Sequence, residues 1–166
     1  MFNKLSSSIR KGISFGLNSG VITTTGVLAG LSQATNNPMI IIITILSLAI
    51  SDGIGEGYGI YISQKAGYIK DKSSGPLISF ISLLIMKIII CMSFLLPLLF
   101  SNDLKYFKNL VWPLAWGIFL LFILDYKLAE SRNEKIQTYL IPHTLLILFV
   151  VIATKISSNI LSKYSD

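Results

Sequence analysis

The chain has 166 residues, of which 52% are hydrophobic and only 13% charged, and it carries a net charge of +6. A soluble domain has about 25% charged residues, so this composition excludes an ordinary water-soluble fold and points to an integral membrane protein. Basic residues cluster at the ends of apolar runs, so topology signals and contact with anionic membrane lipid account for them, and no nucleic acid partner is expected. The length suits a single transmembrane domain over residues 1–166, and the single cysteine, Cys91, can form no internal disulfide.

A spanning helix needs about 20 mostly apolar residues. The sequence predicts an all-α, polytopic protein with five transmembrane helices, at roughly 13–34, 39–64, 77–100, 110–127 and 138–160. The alternating short strands of a membrane β-barrel are absent from the pattern. The first span is weakly hydrophobic. It runs Phe15-Gly16-Leu17-Asn18-Ser19-Gly20 and onward through Gly26 and Gly30, so Gly16/Gly20 and Gly26/Gly30 each form a GxxxG pair. Small residues at that spacing let helix backbones approach closely. A basic start followed by an apolar run resembles a signal peptide, but the Gly, Ser and Thr content of this run argues against an h-region.

Asn36-Asn37-Pro38 separates the first span from the second, which carries Asp52 and Glu56 inside its apolar run. Residues four apart share one helix face. Two carboxylates at membrane depth are costly, and such acids face a bundle interior or a water-filled path. The same helix places Ser51, Gly55 and Gly59, and also Gly53 and Gly57, at packing intervals. Gly16, Gly20, Gly55 and Gly59 are therefore read as helix-packing positions, with the first two helices packed tightly together or against a second copy of the chain. At 1.5 Å per residue, Glu56 lies about 14 Å and Asp52 about 20 Å from the Lys65 end.

The third span follows Gly75-Pro76, and its Lys87 lies about 15 Å inside that boundary. This depth matches Glu56, so an ion pair between them is geometrically allowed, either as a fixed pair that sets helix register or as part of a site whose charge state changes. Met86 and Met92 flank Lys87; their sulfurs can bind soft metals, although apolar filling is the default for methionine. In the fourth span Trp112, Trp116 and Tyr126, with Tyr106 just before it, read as interfacial anchors, and Asp125 near Lys127 reads as interfacial. In the fifth, His143 follows Pro142 and reads as a hydrogen-bonded packing residue before a metal ligand. The connections are short, so no inserted soluble catalytic domain is expected. No Gly-rich phosphate loop, Ser/His/Asp arrangement or CxxC pair is present, so the chain is not expected to be an enzyme.

Lys and Arg set the orientation. Lys4, Arg10, Lys11, Lys65, Lys70, Lys72, Lys127, Arg132 and Lys135 fall on one side of the five-span layout, and Lys105, Lys108, Lys155 and Lys163 on the other. The excess predicts a cytoplasmic N-terminus and an outside C-terminus, in a multi-pass protein of the plasma or inner membrane if bacterial, and otherwise of an organelle.

Three stretches resemble the vacuolar iron transporter family. Gly16-Leu17-Asn18-Ser19-Gly20 with Ala29-Gly30-Leu31 is similar to the family's first helix, where an Asp-Gly pair precedes Ala-Gly-Leu. Asp52-Gly53-Ile54-Gly55-Glu56-Gly57-Tyr58-Gly59-Ile60-Tyr61 with Lys65 is similar to the second-helix signature. Gln137-Thr138-Tyr139-Leu140-Ile141 resembles the start of the last helix, and Leu95-Leu96-Pro97-Leu98-Leu99 the end of the third. The resemblance implies a homodimer of five-helix subunits with the ion path between them, exporting ferrous iron or manganese from the cytosol in exchange for protons.

Where the family's metal ligands include a first-helix Asp and a second-helix Met, this chain has Ser19 and Glu56. It also lacks the long acidic hairpin of the iron-transporting members, with only residues 66–76 in its place. Exchange of a thioether for a carboxylate favours harder ions, which leaves manganese, ferrous iron, another divalent ion or protons alone. On this reading Glu56 and Asp52 bind and release the cation or proton, Ser19 and Asn18 line the path, and Lys87 neutralises Glu56 when the site is empty. No resident cofactor is expected; a divalent metal would be cargo. The alternative is a non-transporting membrane scaffold or assembly subunit that keeps the same fold.

Overall fold

A computed structural model describes residues 5–66, 75–96 and 110–162. The described residues form five long helices: α1 (Ser7–Ala34), α2 (Pro38–Ala66), α3 (Pro76–Phe94), α4 (Val111–Arg132) and α5 (Gln137–Ser162). There is no strand among the described residues. The four helices α2 to α5 are long and apolar enough to cross a membrane. Their outward side chains are apolar as well: Ile43, Ile85, Leu145 and Phe149 are each more than half exposed. A surface of that kind belongs in lipid, and the chain is an integral membrane protein. Lys4, Lys70, Lys72, Lys105, Lys108, Lys163 and Tyr106 lie outside the described residues, as does the third span beyond Leu96.

Helix boundaries follow local chemistry. α1 begins at Ser7 rather than near residue 13, because the Ser6 side chain accepts a hydrogen bond from the Ile9 N–H and caps the first turn. The regular part of α3 runs to Phe94 and is interrupted by a turn at Leu95. There the Leu95 N–H turns back to the Met92 carbonyl at 3.0 Å. α4 runs on to Arg132, where Asn133 adopts a left-handed conformation (φ 56°) and closes the helix onto the Ala129 carbonyl.

The packing order differs from the chain order. α1 makes its most extensive contact with α3, and α2 also packs chiefly on α3, while direct contact between α1 and α2 is sparse. The expectation that the first two helices pack tightly on each other is thus corrected: α3 stands between them. Gly12, Gly16 and Gly20 form the α1 side of this contact. A methyl group at Gly16 would stand 2.5 Å from the Leu83 carbonyl oxygen, and one at Gly12 2.5 Å from that of Ser79. On α2 the packing glycines are Gly53 and Gly57, which receive Leu84 and Phe80 of α3. Gly55 and Gly59 face open space, with nothing of this chain within 4 Å of an added Cβ. The far side of α1 carries Gly26 and Gly30 against Val150 and Thr154 of α5. Val21, Leu28, Phe94, Leu121 and Ile147 are buried in the shared core.

The N-terminal ends of α1, α3 and α5 lie with the C-terminal ends of α2 and α4. Ser79 donates to the Ser8 carbonyl at 3.1 Å and accepts from Gln64 at 3.0 Å, and Arg10 and Arg132 line one cavity. This end therefore collects Arg10, Lys11, Lys65, Lys127, Arg132 and Lys135, with Lys155 toward the other.

Close backbone approach at Gly16 makes a specific demand on stability. Gly16→Ala should lower the stability of the detergent-solubilised protein by roughly 1–3 kcal/mol through overpacking. Gly55→Ala should leave it unchanged or raise it by about 0.5–1 kcal/mol, because Ala is the better helix former. Thermal melts followed by far-UV circular dichroism distinguish the two; equal melting of both variants would contradict the packing described.

Candidate functional site

The site forms where α3 separates α1 from α2. Asp52 and Glu56, one turn apart on α2, converge on Lys87 of α3. Lys87 Nζ donates to Glu56 Oε2 at 2.7 Å and also to Asp52 Oδ2. Ser19 of α1 donates its hydroxyl to the same Glu56 oxygen at 2.7 Å. The depth argument made from sequence thus corresponds to a direct contact, and Asp52 joins it.

Glycines make room for the lysine. Its Cα would lie 3.7 Å from a Cβ at Gly20, and its Cδ 3.7 Å from a Cβ at Gly53. The Lys87 side chain is completely buried, whereas those of Asp52 and Glu56 remain 30% and 24% exposed. The ammonium is sealed inside the bundle, and the carboxylates are open on their outer side. With all three groups ionised the triad carries one excess negative charge, since a single cation serves two anions.

Asn18 precedes Ser19 and lines a cavity of about 480 Å³ between α1, α2, α4 and α5. The cavity also touches Ile60, one turn along α2 from Glu56, so its inner end lies beside the triad. The Asn18 Oδ1 atom is buried and has no hydrogen-bond partner. An unpaired buried acceptor costs about 1–3 kcal/mol and is suited to a cation or a donor arriving through the cavity. The oxygens of Asp52, Glu56, Ser19 and Asn18 are all hard donors, fit for a divalent metal or a proton rather than a soft ion. Among the described residues, no three His, Cys, Asp or Glu side chains come together as a metal-binding group.

A second polar contact lies on the wall of the same cavity. His143 Nδ1 and Asp125 Oδ1 are 2.7 Å apart, and Asp125 is fully buried. The reading of Asp125 as interfacial is corrected: α4 turns it toward α5 rather than toward the membrane surface. The hydrogen-bonded role expected of His143 is present, and its partner is this acid. Met86 packs against the apolar core, and Met92 is exposed on the outer surface. Trp112 and Trp116 stack on each other and donate their indole N–H groups to the Phe94 carbonyl and the Ser93 hydroxyl. Their polar edges thus serve the last turn of α3.

Sequence reasoning did not pair Asp125 with His143. Both lie toward the same end of adjacent helices, but their rotation about each helix axis is set only by packing. Gly12 was missed because its spacing to Gly16 falls ahead of the apolar run, in a turn that begins only with the Ser6 cap.

The chain was compared with protein-family models, with curated proteins and with solved structures, and nothing in any of the three matches it.

The triad makes stability depend on charge balance. Lys87→Met leaves two adjacent carboxylates without their cation and should destabilise the protein by roughly 3 kcal/mol. That is the low end for a broken buried pair, because the acids are partly open. Adding Asp52→Asn and Glu56→Gln to Lys87→Met should restore much of the loss. Thermal melts of the single and triple variants check this, and a Lys87→Met protein that melts like the wild type would remove the triad's structural role.

Proposed function

We propose that the protein transports a divalent metal cation of the iron or manganese class across its membrane in exchange for protons, through a site built on Glu56 and Asp52. The observation that carries this reading is the placement of two carboxylates, each open on one side, around a single sealed lysine, so that with all three groups ionised the acids outnumber their cation. Such a site attracts one further positive charge. A proton on either acid or an incoming metal would balance it, and the two would compete. Metal arriving beside Asn18 and Ser19 displaces Lys87 or a proton from Glu56, and protonation from the opposite side releases the metal. Ser19 holds the Glu56 oxygen in place until then.

All five helices span the bilayer in this reading. The accumulation of Arg10, Lys11, Lys65, Lys127, Arg132 and Lys135 at one end supports a cytoplasmic N-terminus and outside C-terminus. Cations enter from the cytoplasm through the cavity that reaches Asn18. Likeness to the vacuolar iron transporter family rests on the sequence stretches quoted above. The functional unit is a homodimer. Ser47, Ser51, Gly55, Gly59 and Ser63 lie at every fourth position of α2 and are exposed, a ridge of small residues that lets a second helix approach closely. Paired there, two subunits would bring two sets of acids toward one path and supply the ligands that a single chain lacks.

A second reading, a membrane scaffold without transport, is favoured by the engagement of both acids by Lys87 and by the lack of a three-ligand cluster among the described residues. Flux measurements separate the two. Proteoliposomes containing the wild type should take up Mn²⁺ or Fe²⁺ with counterflow of protons, and Glu56→Gln should cut this by about tenfold or more while the protein stays folded. Unimpaired flux in Glu56→Gln refutes the role of Glu56, and no flux in the wild type supports the scaffold. Gly59→Leu should convert dimer to monomer in light scattering; an unchanged mass would remove the α2 ridge as the interface.

A further inference from the structure

At the basic end of the bundle a cavity of about 350 Å³ lies between the first turns of α1 and the last turns of α4. Arg10 and Lys11 line it from one side and Arg132 from the other, together with the hydroxyl-bearing residues Ser7, Ser14 and Ser131. Three cations converge here, and none takes part in the ion pairs found among the described residues. Glu130 is paired with Lys127 at 2.9 Å, and Glu134 accepts from the Tyr139 hydroxyl at 2.6 Å, a phenol that Arg132 also reaches, so that neither acid forms an ion pair with the three cations. The Arg10 Nε atom is buried and has no hydrogen-bond partner. The first turn of α1 contains no acidic residue, so the positive end of its helix dipole adds to the field.

We infer that this cavity binds a phosphate group. Three like charges held together without a counterion repel one another, and a tetrahedral anion relieves that repulsion. Its oxygens match the planar donor array of guanidinium groups and the serine hydroxyls. The cavity sits at the ends of membrane-length helices, the depth at which the phosphate of an anionic lipid lies, and basic pockets between helix ends are suited to such headgroups. A free phosphate offers the same chemistry from solution. The cavity shares Lys11, Ser14 and Leu128 with the larger one that leads to Asn18. A bound phosphate would therefore neutralise the mouth of that path and lower its repulsion of an incoming cation. This last effect rests on the transport reading; the binding does not.

Native mass spectrometry of the detergent-solubilised protein tests the binding, with phosphatidylglycerol, phosphatidylcholine and inorganic phosphate as probes. Each basic contact near the membrane surface is worth about 1 kcal/mol, or about fivefold in affinity. Arg132→Gln, at an exposed helix end, should weaken phosphatidylglycerol binding about fivefold, and Arg10→Gln with Arg132→Gln roughly 25-fold. Lys127→Gln, whose lysine is exposed and faces Glu130, should change it little. Preference for phosphatidylglycerol over phosphatidylcholine identifies a lipid headgroup. Inorganic phosphate binding that is lost in the arginine variants, without lipid retention, identifies a soluble phosphate in the same site. Equal binding by wild type and Arg132→Gln, or an equal loss in Lys127→Gln, overturns the proposal, since either result means diffuse charge attraction instead of a built site.

Discussion

The buried ammonium of Lys87 holds the arrangement of α1, α2 and α3 in place. A lysine without a counter-charge inside a membrane-embedded bundle is costly, so the helix that carries it can occupy only positions from which carboxylates are within reach. Asp52 and Glu56 meet that requirement together, and Ser19 ties one of them to α1. One cationic group therefore fixes the axial register of α3 against α2 and couples both to α1, even though α1 and α2 themselves touch little. The carboxylates keep an open side because the lysine reaches them from within.

Such an interaction needs helices that approach closely enough for a four-carbon side chain to span the gap, and glycine supplies that approach. Gly12, Gly16 and Gly20 bring the α1 backbone against that of α3, and Gly53 and Gly57 admit Leu84 and Phe80 from α3 into the surface of α2. In lipid there is no hydrophobic driving force between helices, and dispersion contacts at short range carry much of the association. The glycine stripes and the ion triad reinforce each other. Close packing excludes water from Lys87, and this exclusion strengthens its attraction to the acids.

Much of this was legible in the sequence because it depends on one dimension, distance along a helix axis. The positions of Asp52, Glu56 and Lys87 relative to Lys65 and to Gly75-Pro76 gave a common depth, and common depth was enough to foresee a contact between Glu56 and Lys87. Rotation about the axis is not encoded so simply. On α2, Gly53/Gly57 and Gly55/Gly59 have the same spacing, and only the placement of α3 shows which pair it meets. The same ambiguity hid the Asp125–His143 contact, since α4 and α5 each offer several polar residues near one end. It also hid the inward hydrogen bonds of Trp112 and Trp116 to Phe94 and Ser93 of α3.

Register alone does not account for the number of charges. One carboxylate facing Lys87 would set the axial position of α3, and an apolar set of similar volume would often be as stable as the ion pair. The second acid adds a further desolvation cost and places two anions one turn apart on α2, where like charges repel. A structure selected only for packing would shed it. What two acids and one lysine provide, and one acid and one lysine do not, is a carboxylate in excess of the cation, held at fixed geometry. That excess acid, with Asn18 Oδ1 unpartnered in the lining of a cavity nearby, is what the proposed binding and release of a cation would draw on. The surplus acid is therefore the feature that a purely structural role explains least.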